Sequence, residues 1–185
     1  AENPRGPALY GWIVEIDPPA PYSMPRKHTA LGRMGHEGAA FAPATAGEPI
    51  VVYMGDDARG EYLYKFVSRG LYRPGRTDGR ILESGTLYVA KFAANGTGSW
   101  IALEHGRNGL VAANGFTSQA DVLVNTRSAA DHVGATRLDR PEWTAVNPFN
   151  RNVYLTCTNN SNRGVAANQP LDAANPRARK PDGHV

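Results

Sequence analysis

Two stretches of the sequence, far apart in the chain, repeat one pattern. EGAAFAP (residues 37–43) and EWTAVNP (residues 142–148) both read Glu, two residues, Ala, an apolar residue, any residue and Pro. Each leads into a second run, IVVYMGDD or VYLTCTNN, which is rich in β-branched and aromatic residues and ends in a pair of polar turn residues. The chain is therefore expected to contain two similar β-hairpins.

Strand-like runs with a period of two occur through much of the chain. In EYLYKFV, the residues Tyr62, Tyr64 and Phe66 would share one face of a half-buried strand. The other runs are YGWIVEI (10–16), GAAF (38–41), PIVVYMG (49–55), GTLYVAKF (85–92), SWIAL (99–103), EWTAV (142–146) and NVYLTCT (152–158). With 20 Gly and 14 Pro in 185 residues, many short strands joined by turns are favoured over long helices. The predicted fold class is all-β.

One short helix is predicted between the two hairpins. SQADVLVNTRSAADHVG (118–134) offers Ser118 as the N-cap, Asp121 in the first turn and Gly134 as the terminator, and its NTRS centre is compatible with an unwound middle. Residues 69–84 and 159–182 are rich in Gly, Pro, Arg and Asn and are predicted to be loops.

Internal similarity with several strands per unit is typical of radially repeated sheets, and it predicts part of a β-propeller. A single sandwich with two chance-similar hairpins is the alternative. The predicted division is the last strand of a preceding blade (1–18), one complete blade (37–92), a connecting insertion that carries the helix (93–141) and an incomplete next blade (142–185).

Charge and composition exclude some classes of function. The formal net charge is only +3, and Lys and Arg are scattered among Asp and Glu, so no nucleic-acid partner is expected. No run approaches the length of a membrane span, and no signal peptide is visible. Cys157 is the one cysteine, which excludes an internal disulfide and a cysteine-based zinc site within this chain.

The repeated glutamates are the candidate metal ligands. In a propeller the first strand of each blade lines the central channel, so Glu37 and Glu142 would converge on the axis. Two carboxylates brought together repel each other unless they share a cation. Oxygen ligands suit hard ions such as Ca²⁺, Mg²⁺ or Fe³⁺.

Arg140 lies two residues before Glu142 and is held by Pro141. A guanidinium beside a metal can bind a phosphoryl group through bidentate hydrogen bonds and fixed positive charge. A surface ion pair or a turn-capping role is the alternative for Arg140.

His36 is expected to make a structural hydrogen bond. Asp56, Asp57 and Glu61 are interpreted as a turn, with calcium binding as the less favoured interpretation.

Several long motifs resemble the PhoX-type alkaline phosphatases, in the same order and over nearly the whole chain. They are NPRGPALYGWIVEIDP, KHTALGRMGHEGA, VVYMGDDARGEYLYKFVS, GTLYVAKF, ADVLVNTRSAADHVGATRLDRPEW, VYLTCTNNS and NPRARKPDGH. The resemblance implies a six-bladed propeller with a Ca²⁺ and Fe³⁺ cluster that hydrolyses phosphate monoesters. It also implies a periplasmic or secreted location after twin-arginine export. A monomer is expected for the full-length protein.

Carried over by motif, the resemblance makes Glu37 in HEGA and Glu142 in DRPEW metal ligands and Arg140 the catalytic, substrate-phosphate contact. It places the family's iron-binding cysteine before Ala1, so Cys157 is interpreted as a small buried residue. Further acidic ligands are expected beyond Val185. This section alone is therefore expected to be inactive.

Two other functions remain open from the residues. A non-catalytic propeller would use its face to bind a protein or polysaccharide. A calcium-dependent lactonase or phosphodiesterase would need similar carboxylates but would give less reason for Arg140.

Overall fold

The largest element of the structure is an antiparallel sheet in which consecutive strands pair side by side. The computed structural model describes residues 6–185. Its strands and α-helices are β1 (Ile13–Glu15), β2 (Arg26–His28), β3 (His36–Phe41), β4 (Pro49–Asp56), β5 (Leu63–Leu71), β6 (Gly85–Phe92), β7 (Gly98–Ala102), α1 (Gln119–Val124), α2 (Thr126–His132), β8 (Pro141–Val146) and β9 (Val153–Cys157). The large sheet has the order β3-β4-β5-β6-β7, and β1-β2 and β8-β9 form two-stranded sheets.

Both faces of the central sheet bury apolar side chains. Tyr62, Tyr64 and Phe66 are almost fully buried in the main core, which confirms that they share a face. Leu63 and Ala90 lie in a second, smaller cluster. A mostly β structure with few helices follows from this alternation, as predicted for the all-β class.

The segment between the hairpins forms two short helices, where the sequence predicts one. Ser118 caps α1, because its side-chain oxygen accepts a hydrogen bond from the amide of Asp121 at 3.1 Å. The helices break at Asn125, whose φ of −107° and ψ of 42° are not helical. The unwound centre is therefore confirmed, and α2 buries Ala129 and Ala130 in the main core.

The edges of the fold differ in detail from the sequence expectations. The run at 10–16 forms a strand only at Ile13–Glu15, and this strand pairs with Arg26–His28, where no strand was expected. The central sheet continues into β7, which lies within residues 93–141. In the predicted loop at 69–84, β5 extends to Leu71 and a 3₁₀ turn covers Gly79–Glu83.

The two repeated hairpins share an irregularity. Between Glu37 and Ala40, three residues of β3 advance against two of β4. Between Pro141 and Thr144, β8 advances by the same three residues against two of β9. Such a bulge bends the strand and redirects its side chains. A bulge of the same size thus occurs in both hairpins, one residue earlier in β8 relative to the sequence repeat.

The two hairpins lie against each other through their backbones. Strand β8 contacts β3 and β4. A Cβ on Gly55 would lie 2.2 Å from the carbonyl oxygen of Glu142, and one on Gly38, at φ +74°, would lie 3.2 Å from the Trp143 ring. Any side chain at Gly55 would push the hairpins apart. In residues 6–185, no helix has the length and hydrophobicity needed to span a bilayer.

Candidate functional site

The main chains that carry Glu37 and Glu142 both lie next to Gly55. Glu37 pairs with Gly55 across β3 and β4, and Gly55 in turn meets the backbone of Glu142. Both glutamates are half-buried near the entrances of adjacent strands. The main chains of the two strand entrances therefore lie close together, and the role of Glu37 and Glu142 as metal ligands stays a prediction.

Arg140 lies between acidic groups at this junction. Its Nη2 donates to Asp57 Oδ2 at 3.0 Å and lies 3.4 Å from Glu142 Oε1, while Nη1 donates to Asn159 Oδ1 at 3.2 Å. The hydrogen bond to Asp57 and the charges of Asp57, Glu142 and Glu37 raise the pKa of Arg140 despite partial desolvation. The side chain is 31% exposed, so an anion can reach its remaining donors.

The backbone of Arg140 is strained. Its φ is +50°, in the left-handed region that side-chain-bearing residues seldom adopt. Pro141 follows directly, and a proline restricts the preceding residue to extended conformations. A conformation of this kind persists only where the surroundings hold it, and such strain clusters at functional sites.

Asp57 and Asn159 are two residues of the candidate site that have no predicted role there. They belong to the polar pairs that end the second strand of each hairpin, and these pairs were interpreted as turns. The recurrence of a polar pair at the end of both hairpins is the sequence feature from which a shared role could have been predicted. In the structure one member of each pair binds Arg140.

Asp56 has a structural role. It is completely buried, accepts from the amide of Gly35 at 3.0 Å and forms a two-pronged ion pair with Arg127, including a 2.7 Å contact to Nε. The pair fixes the turn that leads into β3.

His36 Nε2 bonds to the carbonyl of Gly32 at 2.9 Å, and burial lowers the pKa of this histidine, which confirms its expected structural role.

Glu61 has a strongly shifted pKa. Burial, with the nearby charge of Asp56, raises the pKa of Glu61 from 4.5 to about 7. Arg127 Nε is 3.6 Å away, but its guanidinium is already bound to Asp56 and offsets only part of this shift. Because the folded pKa exceeds the unfolded one, the folded state binds more protons. Stability is therefore lost as the pH rises from 4.5 through 7.

We expect Glu61→Gln, which cannot ionise, to escape this loss. The variant should gain up to about 3 kcal/mol in the free energy of unfolding at pH 8.5 relative to the native protein, and little at pH 4.5. Thermal unfolding of the full-length protein at both pH values measures the difference. The exposed Glu48→Gln should show no such dependence. An equal effect of Glu61→Gln on the free energy of unfolding at both pH values would contradict the raised pKa of Glu61.

The residues present fit part of a metal site. Glu37 and Glu142 would supply carboxylate oxygens, and Asp57 Oδ1, on the carboxyl that binds Arg140, is buried without a hydrogen-bond partner. Oxygen donors of this kind suit hard cations, but Ca²⁺ takes six to eight of them. In the part of the chain that the structure describes, no group of three or more His, Cys, Asp or Glu side chains is arranged to hold a metal. A hard cation at this junction would therefore need oxygen ligands in addition to these three carboxylates.

Cys157 lies in the smaller core cluster with Leu63, Ala90 and Leu138. Burial raises the pKa of its thiol to about 11, so the thiolate is scarce at neutral pH. Its expected role as a small buried residue is confirmed.

Comparison with known proteins gives consistent findings. The family model described as "Alkaline phosphatase PhoX" matches residues 2–185. Among solved structures, the chain is similar to "Pseudomonas fluorescens PhoX in complex with vanadate, a transition state analogue", with 50% sequence identity and a TM-score of 0.91. The match covers 96% of this chain and 32% of that chain, so the chain corresponds to only part of the solved protein's length. Among curated proteins there is no significant match.

Proposed function

The chain belongs to the PhoX alkaline phosphatase family, and we propose from this that the full-length protein hydrolyses phosphate monoesters with Arg140 as its phosphate clamp. One observation carries the assignment to this site: a partly exposed, strained arginine lies at the junction of two equivalent strand entrances that both bear glutamates. A simple surface ion pair would not require the left-handed backbone of Arg140.

Arg140 would bind the equatorial oxygens of the transferring phosphoryl group. A guanidinium offers parallel donors that match two phosphate oxygens, and its charge offsets the negative charge that develops in the transition state. Asp57 and Asn159 already fix the plane of the guanidinium through one donor on each terminal nitrogen. The vanadate complex of the Pseudomonas fluorescens relative supports a phosphoryl-transfer site in this family.

Glu37 and Glu142 would hold metal ions, and family membership makes Ca²⁺ and Fe³⁺ the proposed ions. When bound, such ions supply Lewis acidity and positive charge at the phosphoryl group. The fit is supported by the carboxylate donors at the two strand entrances and by the unpartnered oxygen of Asp57. The remaining ligands belong to parts of the protein outside this chain.

The proposed architecture is a section of a six-bladed β-propeller in a monomeric, periplasmic or secreted protein. Two hairpins with the same bulge, packed side by side at their first strands, support a repeated radial arrangement. The location rests on family membership alone.

Purified full-length protein should hydrolyse p-nitrophenyl phosphate and should be inhibited competitively by vanadate. The competition is expected because vanadate and the phosphoryl group would occupy the same donors on Arg140. A phosphodiester and a lactone serve as comparison substrates. Efficient turnover of either one, without turnover of the monoester, would overturn the phosphomonoesterase proposal.

A further inference from the structure

A buried ion pair lies directly behind the proposed phosphate clamp. We propose that Arg163, acting through Asp139, is a positioning residue that holds Arg140 in its left-handed conformation. This inference rests on the function proposed for Arg140. It assigns a role to residues 159–180, a segment with no helix or strand, which contacts the chain just before β8 through Asn160 and Arg163.

Asp139 precedes Arg140 and is completely buried, as is Arg163. Arg163 Nε and Asn160 Nδ2 both donate to Asp139 Oδ1 at 2.7 Å. A buried carboxylate that accepts hydrogen bonds from a guanidinium and from an amide is held rigidly. The main chain that leads into Arg140 is therefore fixed by a side chain that follows β9 in the sequence.

The remaining donors of Arg163 reach two backbone carbonyls. Nη2 donates to Arg137 O at 2.8 Å, and Nη1 donates to Pro170 O at 2.9 Å. A buried guanidinium is tolerated only when its donors are satisfied. Since Arg137 and Asp139 flank Leu138, Arg163 holds the strand entrance at two points on one side of Arg140.

On its other side, Arg140 is held by the packed hairpins. Pro141 is buried, and its carbonyl lies close enough to Gly55 that a Cβ there would be 2.9 Å away. The carbonyl of Arg140 itself accepts from the amide of Thr158 at 3.2 Å. The strained residue is thus fixed from both directions, which is the condition for such a conformation to persist.

Lys180 complicates any test that removes Asp139. Its Nζ is buried and lies 3.9 Å from Asp139 Oδ2, and neither atom has a hydrogen-bond partner among the described residues. Asp139→Asn would therefore remove the counter-charge of buried Lys180 and the nearest one of buried Arg163, which keeps only Asp172 at 3.9 Å, and such a loss is strongly destabilising. Variants at Arg163 and Asn160 keep the Asp139 carboxylate, so their effects on activity are less confounded by lost stability.

The decisive variant is Arg163→Lys in the full-length protein. Lysine keeps the charge beside Asp139 but cannot direct donors to both carbonyls as well. We expect kcat/KM for a phosphomonoester to fall about tenfold and the inhibition constant of inorganic phosphate to rise by a similar factor, because a small misplacement of a binding group is costly. Asn160→Ala, which removes the second donor to Asp139 without a change of charge, should give a smaller change in the same direction.

Leu110→Ala is the control for lost stability. Leu110 is buried in the main core, and its truncation should lower the melting temperature without changing the inhibition constant of phosphate. Arg163→Lys in the Arg140→Ala background should add no further loss of kcat/KM. A tenfold loss that persists in that background, or wild-type phosphate inhibition in both Arg163→Lys and Asn160→Ala, would overturn the positioning role. If Arg140→Ala itself leaves phosphate inhibition unchanged, the function proposed for Arg140 fails, and the positioning role fails with it.

Discussion

Replacing Arg140 with alanine in the full-length protein should lower kcat/KM for a phosphomonoester by about 10²- to 10³-fold, the range typical of a lost transition-state donor. The guanidinium would contact both substrate and transition state, so KM should rise and kcat should fall. Stability should change little because the side chain is partly exposed. Steady-state kinetics together with thermal unfolding measure both effects.

Arg140→Lys distinguishes a planar clamp from a simple positive charge. Lysine retains the charge but not the two parallel donors, so it should recover only a small part of the loss. Arg151→Ala is the matched control, because Arg151 also has a positive φ (+60°) and an exposed hydrogen bond, to Thr45, at the far end of the β8-β9 hairpin. Equal activity in Arg140→Ala and Arg151→Ala would reject the clamp.

Glu142→Gln and Glu37→Gln should each reduce metal content and lower activity by at least about a hundredfold. Glutamine keeps the shape of the side chain but removes the negative charge that a hard cation requires. Losing a direct ligand should cost at least as much as losing an outer partner, for which 10- to 100-fold is typical. Elemental analysis for calcium and iron, made on the same preparations used for kinetics, measures both quantities.

The exposed Glu48→Gln controls for the general effect of removing one negative charge. It should keep full metal content and activity. A fully metallated and active Glu142→Gln protein would remove Glu142 from the ligand set, and the same result for Glu37→Gln would remove Glu37. Because the two residues occupy equivalent positions in the repeated sequence pattern, similar losses are expected from both.

Features fixed by local pattern were accessible from the sequence. The period-two alternation of Tyr62, Tyr64 and Phe66 predicted a buried strand face, and Ser118 predicted the start of a helix. The repeated Glu pattern went further, since it predicted two similar hairpins, and the structure places their first strands side by side. These inferences need only spacing and residue type.

Contacts between distant side chains were not accessible in the same way. Nothing in the local pattern pairs Arg163 with Asp139 or Arg127 with Asp56, because the partner of a buried charge is chosen by the three-dimensional path of the chain. The short β2 was missed for a related reason: Arg26–His28 is too short and too polar to show a strand period, and its pairing with β1 defines it. Asp57 resembled any turn residue until Arg140 was placed beside it.

The contact at Gly55 determines how the candidate site responds to change elsewhere. There the peptide backbones of two hairpins touch without an intervening side chain. The separation of the two glutamate-bearing strands is therefore set by main-chain dimensions, which do not vary from one amino acid to another. Substitutions in the surrounding core can therefore accumulate without changing the distance between the two strands. Any ligand that contacts both strands would meet the same spacing.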